Sequence, residues 1–351
     1  MINKKNIDNF KALPYLVSFS LPISVPLGLY LGGLYTFLTL FIGYFLLPIL
    51  DILFGRNDNS DLKYNNKNLF SYLKYLTWLA FPTQLFVILF CLFYISFYQL
   101  SYIEYVGLFI SAGISSGAFG ITAAHELIHQ RKFERMLSRL TLFTVCYPHF
   151  CIEHVHGHHI NVATPKDPAS AQLGQSVYNF FITSLIGSYI SAWGIEGQRL
   201  SRKKIKVLSL KNVMIQNLII NCLMFFAIWY FFSFLGLLFF ICQSLIAVFE
   251  LEVINYIEHY GLRRKEIAPG IFEQQNSSHT WNSNHALSNY ALFNLPLHSD
   301  HHQHAGRRFF QLRHDKTSPQ LPFGYSVMVM IALVPSFWKK MMDPLVNKSM
   351  E

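Results

Sequence analysis

The sequence is poor in charged residues. Only 13% of its 351 residues are Asp, Glu, Lys or Arg, against about 25% in a typical soluble domain, whereas 52% are hydrophobic and 33 are Phe. This balance excludes an ordinary soluble domain and predicts an integral membrane protein. The net charge of +9 is therefore interpreted as the excess of Lys and Arg that marks the cytoplasmic side of a membrane protein, and not as a nucleic-acid-binding surface.

The chain also lacks paired cysteines. Its five cysteines form no C-x-x-C pair and are Cys91, Cys146, Cys151, Cys222 and Cys242. This spacing excludes a four-cysteine iron or iron–sulfur site and gives no disulfide framework. We expect all five to be small buried apolar residues.

Six apolar stretches are long enough to cross a bilayer, whose hydrocarbon core of ~30 Å needs ~20 helical residues. They are Leu13 to Gly32, Leu34 to Phe54, Tyr75 to Gln99, Tyr102 to His129, Ile215 to Leu235 and Gly236 to His259. The segment Met1 to Lys11 is polar and basic, and the apolar stretch after it is too long for a signal peptide. We therefore expect a retained first helix.

Very short turns separate these stretches in pairs, which predicts six membrane-spanning helices in three hairpins. None of the short turns contains Lys or Arg, and all 28 Lys and Arg lie in the remaining segments. Positive residues collect on the cytoplasmic side of a membrane. We therefore expect a protein of the inner membrane, with both termini and the segments 130–211 and 260–351 in the cytoplasm. The fold class is an all-α integral membrane protein, with the whole chain, 1–351, as one domain.

Two weaker apolar stretches, Leu137 to Cys151 and Val177 to Trp193, lie within the segment 130–211. A further pair of spans there would place the histidines at 154–159 on the side of the membrane opposite the other histidine sets. We therefore expect both stretches to be interfacial or re-entrant helices that pack against the cytoplasmic part of the molecule.

Histidines occur in dense sets at the ends of the apolar spans. The sets are H-x-x-x-H at 125–129, H-x-x-x-H-H within 154–159 and H-x-x-H-H at 298–302, and His259 ends the sixth span. A single histidine is usually a satisfied core or surface residue, but three sets in one chain are typical of metal ligation. The nine candidate ligands are His125, His129, His154, His158, His159, His259, His298, His301 and His302.

Nine imidazoles exceed what one ion takes, and they fit two ions with four or five protein ligands each. Thiolates are absent from the sets, which argues against zinc fingers and iron–sulfur clusters. Iron suits an imidazole-rich site with open positions, but ligand type alone leaves zinc and copper open.

Four strings carry a resemblance to a known family. They are His-Glu-Leu-Ile-His at 125–129, Glu-His-Val-His-Gly-His-His at 153–159, Asn-Tyr-Ile-Glu-His-Tyr-Gly-Leu at 255–262 and His-Ser-Asp-His-His at 298–302. With them, the sequence resembles the membrane-bound non-haem diiron alkane 1-monooxygenases, within the wider membrane desaturase and hydroxylase superfamily. The segment Thr280 to His285 is also similar to that family.

The resemblance implies a diiron centre held by the nine histidines, O₂ as co-substrate and hydroxylation of the terminal methyl of medium- or long-chain alkanes. It also implies a rubredoxin, or a ferredoxin-like donor, with an NAD(P)H-dependent reductase. Residues expected to support the ligands are Glu126, Glu153, Glu258, Asp300, Trp281, Asn282 and Asn284. Basic residues expected to dock the donor are Arg263, Arg264, Arg307 and Arg308, together with Lys265 and Arg313. Positive-inside anchoring accounts for the same charges equally well.

The chemistry expected from the residues agrees with this implication. An unactivated C–H bond offers no charge for an acid or a base to polarise, so its oxidation needs a metal centre. An apolar helix bundle suits a hydrocarbon that enters from the bilayer. The alternatives are a related membrane diiron desaturase or an aryl-methyl or fatty-acyl hydroxylase, a histidine-rich metal transporter, and a structural membrane protein. A transporter would carry its histidines near the bilayer midplane, and here they lie at helix ends.

Overall fold

The computed structural model describes residues 12–57 and 67–350, and most of them are helical. Seven long helices or helix pairs and several short ones follow one another. We label them α1 Leu13–Leu31, α2 Gly33–Phe54, α3 (Lys67–Trp78 and Ala80–Phe97), α4 Tyr102–Ile128, α5 Lys132–Phe143, α6 150–161, α7 Val177–Arg202, α8 Val213–His259, α9 Ala286–Ala291, α10 His298–Gln303, α11 Tyr325–Ala332 and α12 Pro335–Met350. Strands β1 Glu266–Ala268 and β2 Ile271–Phe272 form one small antiparallel hairpin.

Five of these elements are long and apolar enough to span a membrane: α1, α2, α4, α8 and the Leu69–Phe97 part of α3. The chain is therefore an integral membrane protein of mainly helical fold. The predicted bounds of the first, second and fourth spans agree with the structure to within one residue at each end. The third span begins earlier than predicted, because apolar residues of Lys67–Trp78 extend the helix towards its N-terminus.

Helix α8 contains the predicted fifth and sixth spans. It has 47 residues, and a straight helix of that length would be about 70 Å long, more than twice the ~30 Å bilayer core. Ser233 breaks it with a φ of 65°, and the rings of Phe225 and Phe240, on either side of the break, lie 6.1 Å apart. The chain thus reverses at Ser233, three residues before the predicted turn at Gly236. That each half crosses a membrane stays a prediction.

The two weaker apolar stretches differ from each other in the structure. Leu137 to Cys151 is not one helix, because α5 ends at Phe143 and the backbone turns at Cys146, whose φ is 56°. Val177 to Trp193 lies inside the longer helix α7. Helix α7 is not among the five elements long and apolar enough to span a membrane.

Polar side chains link the helices inside the bundle. Gln84 of α3 donates to Ser116 of α4 at 2.5 Å, and Ser116 donates to Gln243 of α8 at 2.8 Å. All three side chains are buried. Such interhelical hydrogen bonds fix the rotation of helices that otherwise meet through apolar surfaces.

The C-terminal helices close the bundle at the end of α8. Trp338 of α12 packs its ring 5.1 Å from that of Tyr256, and the Tyr260 hydroxyl donates to Asp343 at 2.6 Å. Because His259 lies between the two tyrosines in the chain, this packing also fixes the position of that histidine.

Asp51 joins the second long helix to the polar part of the molecule. This carboxylate is buried at the end of α2 and accepts hydrogen bonds from the backbone N–H groups of Leu287 and Ser288 at 2.9 and 3.0 Å, and from the Ser288 hydroxyl. It therefore satisfies the free N–H groups in the first turn of α9.

Replacing Asp51 with Leu should lower the stability of the whole protein. The change leaves donors of α9 unpaired, and we expect a loss of about 2–4 kcal/mol, since each unpaired buried donor costs about 1–3 kcal/mol. Thermal unfolding in detergent measures this effect. Asp51→Asn keeps one acceptor oxygen, so its melting temperature should lie between those of the natural protein and Asp51→Leu. An unchanged melting temperature in Asp51→Leu would show that Asp51 does not stabilise the contact between α2 and α9.

Candidate metal centre

The structure brings all nine predicted histidines together at one end of the helix bundle. His125 and His129 come from the end of α4, and His259 from the end of α8. The others lie in the short helices α6 and α10, which lie beside those ends. Helix ends meet at this place, so histidines far apart in the sequence become neighbours.

The nine histidines divide into two groups. In each group, every member offers a ring nitrogen within 4.8 Å of the nitrogens of all the other members. The first group has five members: His125, His129, His154, His159 and His301. The second group has four: His158, His259, His298 and His302. We call them the five-histidine group and the four-histidine group.

Ring nitrogens converge within each group more closely than hydrogen bonding explains. The Nε2 atom of His154 lies 3.1 Å from Nε2 of His129 and 3.1 Å from Nε2 of His159. One ring nitrogen carries either one hydrogen or one lone pair, so it cannot satisfy two partners in this way. In the four-histidine group, Nε2 of His298 lies 3.3 Å from that of His259 and 2.9 Å from that of His302.

These distances suit a shared metal ion. Two nitrogens that are each about 2.1 Å from one ion lie about 3.0 Å apart at a right angle and about 3.4 Å apart at a tetrahedral angle. The buried Nε2 atoms of His125 and His158 have no hydrogen-bond partner among the described residues, as expected of nitrogens kept for a metal. The residues present therefore fit two metal ions.

A π-helical turn divides the histidine set at 154–159 between the two groups. His154–His158 has π-helical hydrogen bonding, which widens the turn so that residues i and i+5 come close. His159 therefore joins His154, and His158 falls into the other group. On an α-helix His154 and His158 would share a face, so the sequence pattern alone did not predict this division.

Burial favours the neutral imidazole that metal ligation requires at most of these histidines, and His158 is an exception. Burial, together with repulsion from neighbouring imidazoles, holds the pKa of His154, His301 and His302 well below the usual range. Burial alone would also lower the pKa of His158, but the carboxylate of Asp167 raises it above its ordinary value.

Asp167 supports the four-histidine group and was missed by the sequence analysis. Its Oδ2 lies 3.0 Å from Nδ1 of His158 and accepts a hydrogen bond from Ser170 at 2.5 Å. A carboxylate on the outer ring nitrogen fixes the tautomer, so that Nε2 of His158 faces the group. The signal for Asp167 is faint, because it lies nine residues after His158 in a loop with no histidine near it.

Glu258 is the predicted carboxylate that reaches the four-histidine group. Its Oε2 lies 3.2 Å from Nε2 of His298, the nitrogen that faces the group. Tyr325 donates to its other oxygen at 2.8 Å. Glu258 is therefore placed to complete a metal site.

Among the described residues, the other three predicted carboxylates form no hydrogen bond with the nine histidines. Glu126 accepts from the backbone of Phe309, and Asp300 pairs with Arg307 at 2.6 Å. Glu153 is buried beside Gly157, where burial raises its pKa to about 8. These contacts hold the surrounding backbone.

Trp281 and Asn282 hold the backbone next to His259 and His298 in place. The indole N–H of Trp281 donates to the carbonyl of Tyr260 at 2.9 Å, and its backbone N–H donates to the carbonyl of Glu258 at 2.8 Å. The Asn282 side chain accepts from the N–H of Ser299 at 2.8 Å, in the first turn of α10. Asn284 is buried, and its carbonyl accepts from Asn57.

The predicted docking arginines are not equally accessible. Arg308 is only 8% exposed and donates to Glu134 at 2.6 Å. It therefore stabilises the interior, and its prediction as an accessible donor-docking residue was wrong. Arg263, Arg264 and Arg307 are half-buried, whereas Lys265 and Arg313 are exposed. A role of these exposed and half-buried residues in docking stays a prediction.

The remaining six histidines lie outside both groups. His156 is exposed on α6, His304 pairs with Asp300 and His279 pairs with Glu273. His149, His285 and His314 are also absent from the two groups.

A mainly apolar cavity of about 70 Å³ lies between the long helices, and His125 and Glu258 are part of its lining. Apolar side chains that line it include Leu21, Leu47, Ile114, Ile121, Ile254 and Leu292. The lining also contains polar side chains, among them Tyr44, whose hydroxyl donates to Glu250. We call this space the metal cavity.

The fold and the centre together define a helical membrane protein with two clusters of histidines whose geometry fits metal ions. The family model described as fatty acid desaturase matches residues 102–332. Alkane 1-monooxygenase 1 of Pseudomonas aeruginosa is 39% identical over 305 residues, which cover 86% of this chain and 80% of that protein. Alkane 1-monooxygenase 1 of Alcanivorax borkumensis is 36% identical over 349 residues, which cover 97% of this chain and 86% of that protein.

A more distant relative is the xylene/toluene monooxygenase hydroxylase component of Pseudomonas putida, 30% identical over 241 residues, which cover 67% of this chain and 63% of that protein. The chain belongs to the fatty acid desaturase family and, within it, to the alkane 1-monooxygenases.

Replacing Asp167 with Asn should weaken metal binding at the four-histidine group. The amide cannot supply the negative charge that holds the His158 tautomer, and losses of this kind reduce metal affinity by about 10- to 100-fold. Titration against a competing chelator measures the change. Asp315→Asn, in a loop that contacts none of the nine histidines, is the control. Equal affinities of the two variants would contradict the role of Asp167.

Replacing Asn282 with Leu should release α10 from its place. The N–H of Ser299 would be buried without an acceptor, which costs about 1–3 kcal/mol, so we expect a lower melting temperature and less metal bound. Asn282→Asp keeps an acceptor oxygen and should retain more metal than the Leu variant. Equal metal content in both variants would show that this hydrogen bond does not position His298 and His302.

Proposed function

We propose that the protein is an O₂-dependent diiron monooxygenase that hydroxylates the terminal methyl of medium- or long-chain alkanes to 1-alkanols. The observation that carries this proposal is the mainly apolar metal cavity, which is lined by His125 of the five-histidine group and by Glu258, beside His298 of the four-histidine group. The balanced reaction is alkane plus O₂ plus two electrons and two protons to 1-alkanol plus water.

Two iron ions are the metals proposed for the site. The five-histidine group would hold one ion, and the four-histidine group, with Glu258 beside it, would hold the other. Iron bound there supplies the activation of O₂ that a C–H bond without charge or polarity requires. The carboxylate of Asp167 keeps the imidazole of His158 oriented.

The protein's own part is to position the substrate and exclude water. An apolar cavity binds a hydrocarbon in proportion to the surface that it buries, about 0.8 kcal/mol for each CH₂. Because His125 and Glu258 line the cavity, a hydrocarbon bound with its end against them would present a terminal methyl to the histidine groups. Longer chains should therefore bind more tightly until they no longer fit.

Six membrane spans, with α8 divided at Ser233, are the topology that we propose. Both histidine groups then lie at the cytoplasmic mouth of an inner-membrane protein, since the basic segments mark that side. The reversal of α8, in which Phe225 packs near Phe240, supports this topology. Alkane dissolved in the bilayer would enter the metal cavity laterally between helices.

Electrons would come from a separate small donor, a rubredoxin or a ferredoxin-like protein, with an NAD(P)H-dependent reductase. No C-x-x-C pair occurs in the sequence, so the chain offers no four-cysteine iron site of its own. The exposed Lys265 and Arg313, with the half-buried Arg263, Arg264 and Arg307, would attract an acidic donor to the side where the histidines lie.

A second candidate function is the oxidation of a substrate that carries oxygen, such as a fatty-acyl chain. The Tyr44–Glu250 pair favours it, because a hydrocarbon passing this pair would leave the polar groups without a further partner. Likeness to a xylene/toluene monooxygenase component makes an aryl methyl group a related possibility to assay.

Turnover of a defined alkane tests the proposal. We would purify the protein, quantify iron, and supply octane, rubredoxin, its reductase, NADH and O₂. The expected product is 1-octanol, and His301→Ala should abolish its formation, because His301 lies within the five-histidine group. His156→Ala, an exposed residue outside both groups, is the matched control and should leave turnover unchanged.

Two irons without octanol would redirect the search to acyl or aryl-methyl substrates. Zinc in place of iron, under conditions that supply iron, would contradict an oxygenase.

A further inference from the structure

A second cavity lies on the other side of α8 from the metal cavity. It has a volume of about 470 Å³, within the range of ligand-binding clefts. Its walls are α7, both halves of α8 and the turn after α5. The second half of α8 contributes Leu245 and Val248 to this cavity, and Leu251 and Ile254 to the metal cavity. The helix therefore separates the two spaces.

Two asparagines place amide groups in this cavity. Asn217 and Asn221 are one turn apart on the first half of α8, so they share a face of that helix. Arg139 donates to Oδ1 of Asn217 from two of its nitrogens, at 2.7 and 3.2 Å, and this contact fixes the orientation of the amide. The buried Nδ2 of Asn217 and the buried Oδ1 of Asn221 have no hydrogen-bond partner among the described residues.

His149 adds a third polar atom without a partner. Its buried Nε2 has no hydrogen-bond partner in the part of the chain that the structure describes. Its ring lies 4.2 Å from that of Tyr147 and 5.2 Å from that of Tyr189. Burial lowers the pKa of His149 to about 4, so the imidazole is neutral at pH 7 and presents either a donor or an acceptor.

The rest of the lining is mainly apolar. Ile186, Ile190, Leu218 and Leu245 are more than half exposed on its rim. They lie on the outer surface of helices, and under the proposed topology that surface faces lipid near the cytoplasmic side. The cavity thus combines polar groups with an apolar rim that is open to the bilayer.

We propose that this second cavity binds a long-chain primary alcohol, with the hydroxyl among Asn217, Asn221 and His149 and the alkyl chain along the apolar wall. A hydroxyl both donates and accepts, so it can satisfy an amide N–H and an amide oxygen together. A plain alkane would leave these atoms unpaired, which costs free energy. A carboxylate only accepts and cannot satisfy Oδ1 of Asn221.

The identification of this alcohol with the 1-alkanol product rests on the proposed function. Because α8 separates the two cavities, the 1-alkanol would leave the metal cavity for the bilayer and reach this cavity from there, with its chain open to lipid. Recognition of the hydroxyl depends only on the cavity, so it can be measured without turnover.

Photo-crosslinking in phosphatidylcholine nanodiscs, without reductant, tests the proposal. The probe is 1-dodecanol that carries a diazirine near the hydroxyl, and mass spectrometry locates the labelled peptides. We expect label at 145–149, 185–190 and 214–225, and displacement by unlabelled 1-dodecanol but not by dodecane or dodecanoate.

Two variants address different parts of the cavity. Leu245→Trp fills it, and Asn221→Leu removes one hydrogen-bond partner without disturbing Arg139. We expect Leu245→Trp to abolish specific labelling and Asn221→Leu to weaken binding by about fivefold to tenfold. Leu223→Trp is the matched control, because Leu223 is exposed on the half of α8 that carries Asn221 and does not line the cavity. It should label like the natural protein.

Three results would overturn the proposal. One is labelling confined to peptides of the metal cavity, around Tyr44 and Glu250. Another is equal displacement by dodecane, which would show a merely apolar groove. The third is displacement by a diacylglycerol or phosphatidylglycerol but not by 1-dodecanol, which would assign the cavity to a membrane lipid. If octanol formation fails while hydroxyl-dependent labelling persists, the proposed reaction is wrong and the alcohol site stands.

Discussion

The structure depends on holding nine imidazole nitrogens in two tight groups inside a largely apolar molecule. Each imidazole loses water on burial, and its nitrogens then need partners. Neutral rings can be brought this close, whereas protonated rings would repel one another. A metal ion in each group would satisfy the converging nitrogens, which makes metal binding and folding of this region parts of one equilibrium.

Contacts around the groups keep the helix ends in register. Arg308 illustrates how this is done, because it is buried between Glu126 of α4 and Glu134 of α5, at 3.9 and 2.6 Å. The same segment donates a backbone N–H from Phe309 to Glu126. Such a buried charged network is costly to break, since removing one member leaves its partners unpaired. It therefore links the loop after α10 to α5 and to α4, the helix that carries His125 and His129.

Much of this arrangement could be predicted from the sequence, because its main signals are local. Apolar length predicts the spans, and dense histidine sets predict the metal ligands, so the same nine residues appear in the pattern and in the two groups. Features that depend on long-range packing could not be predicted. The π-helical turn that separates His158 from His159 and the place of Asp167 beside His158 both depend on how α6 packs in the folded chain.

Two corrections have the same origin. An arginine in a polar cytoplasmic segment usually faces solvent, so nothing local marks Arg308 as the buried partner of Glu134, 174 residues away. A glycine usually marks a turn, yet α8 breaks at Ser233, whose φ of 65° is unusual for a residue with a side chain. In both places tertiary packing overrides the local preference.

Counting metal ions in variants of the two groups tests the central claim most directly. The account assigns one iron to the five-histidine group and one to the four-histidine group, so His129→Ala and His302→Ala should each lose about half of the bound iron. Imidazole scattering in the X-ray absorption spectrum of the iron should persist in both variants. A natural protein with a single metal ion, or variants that lose no iron, would contradict two separate histidine sites.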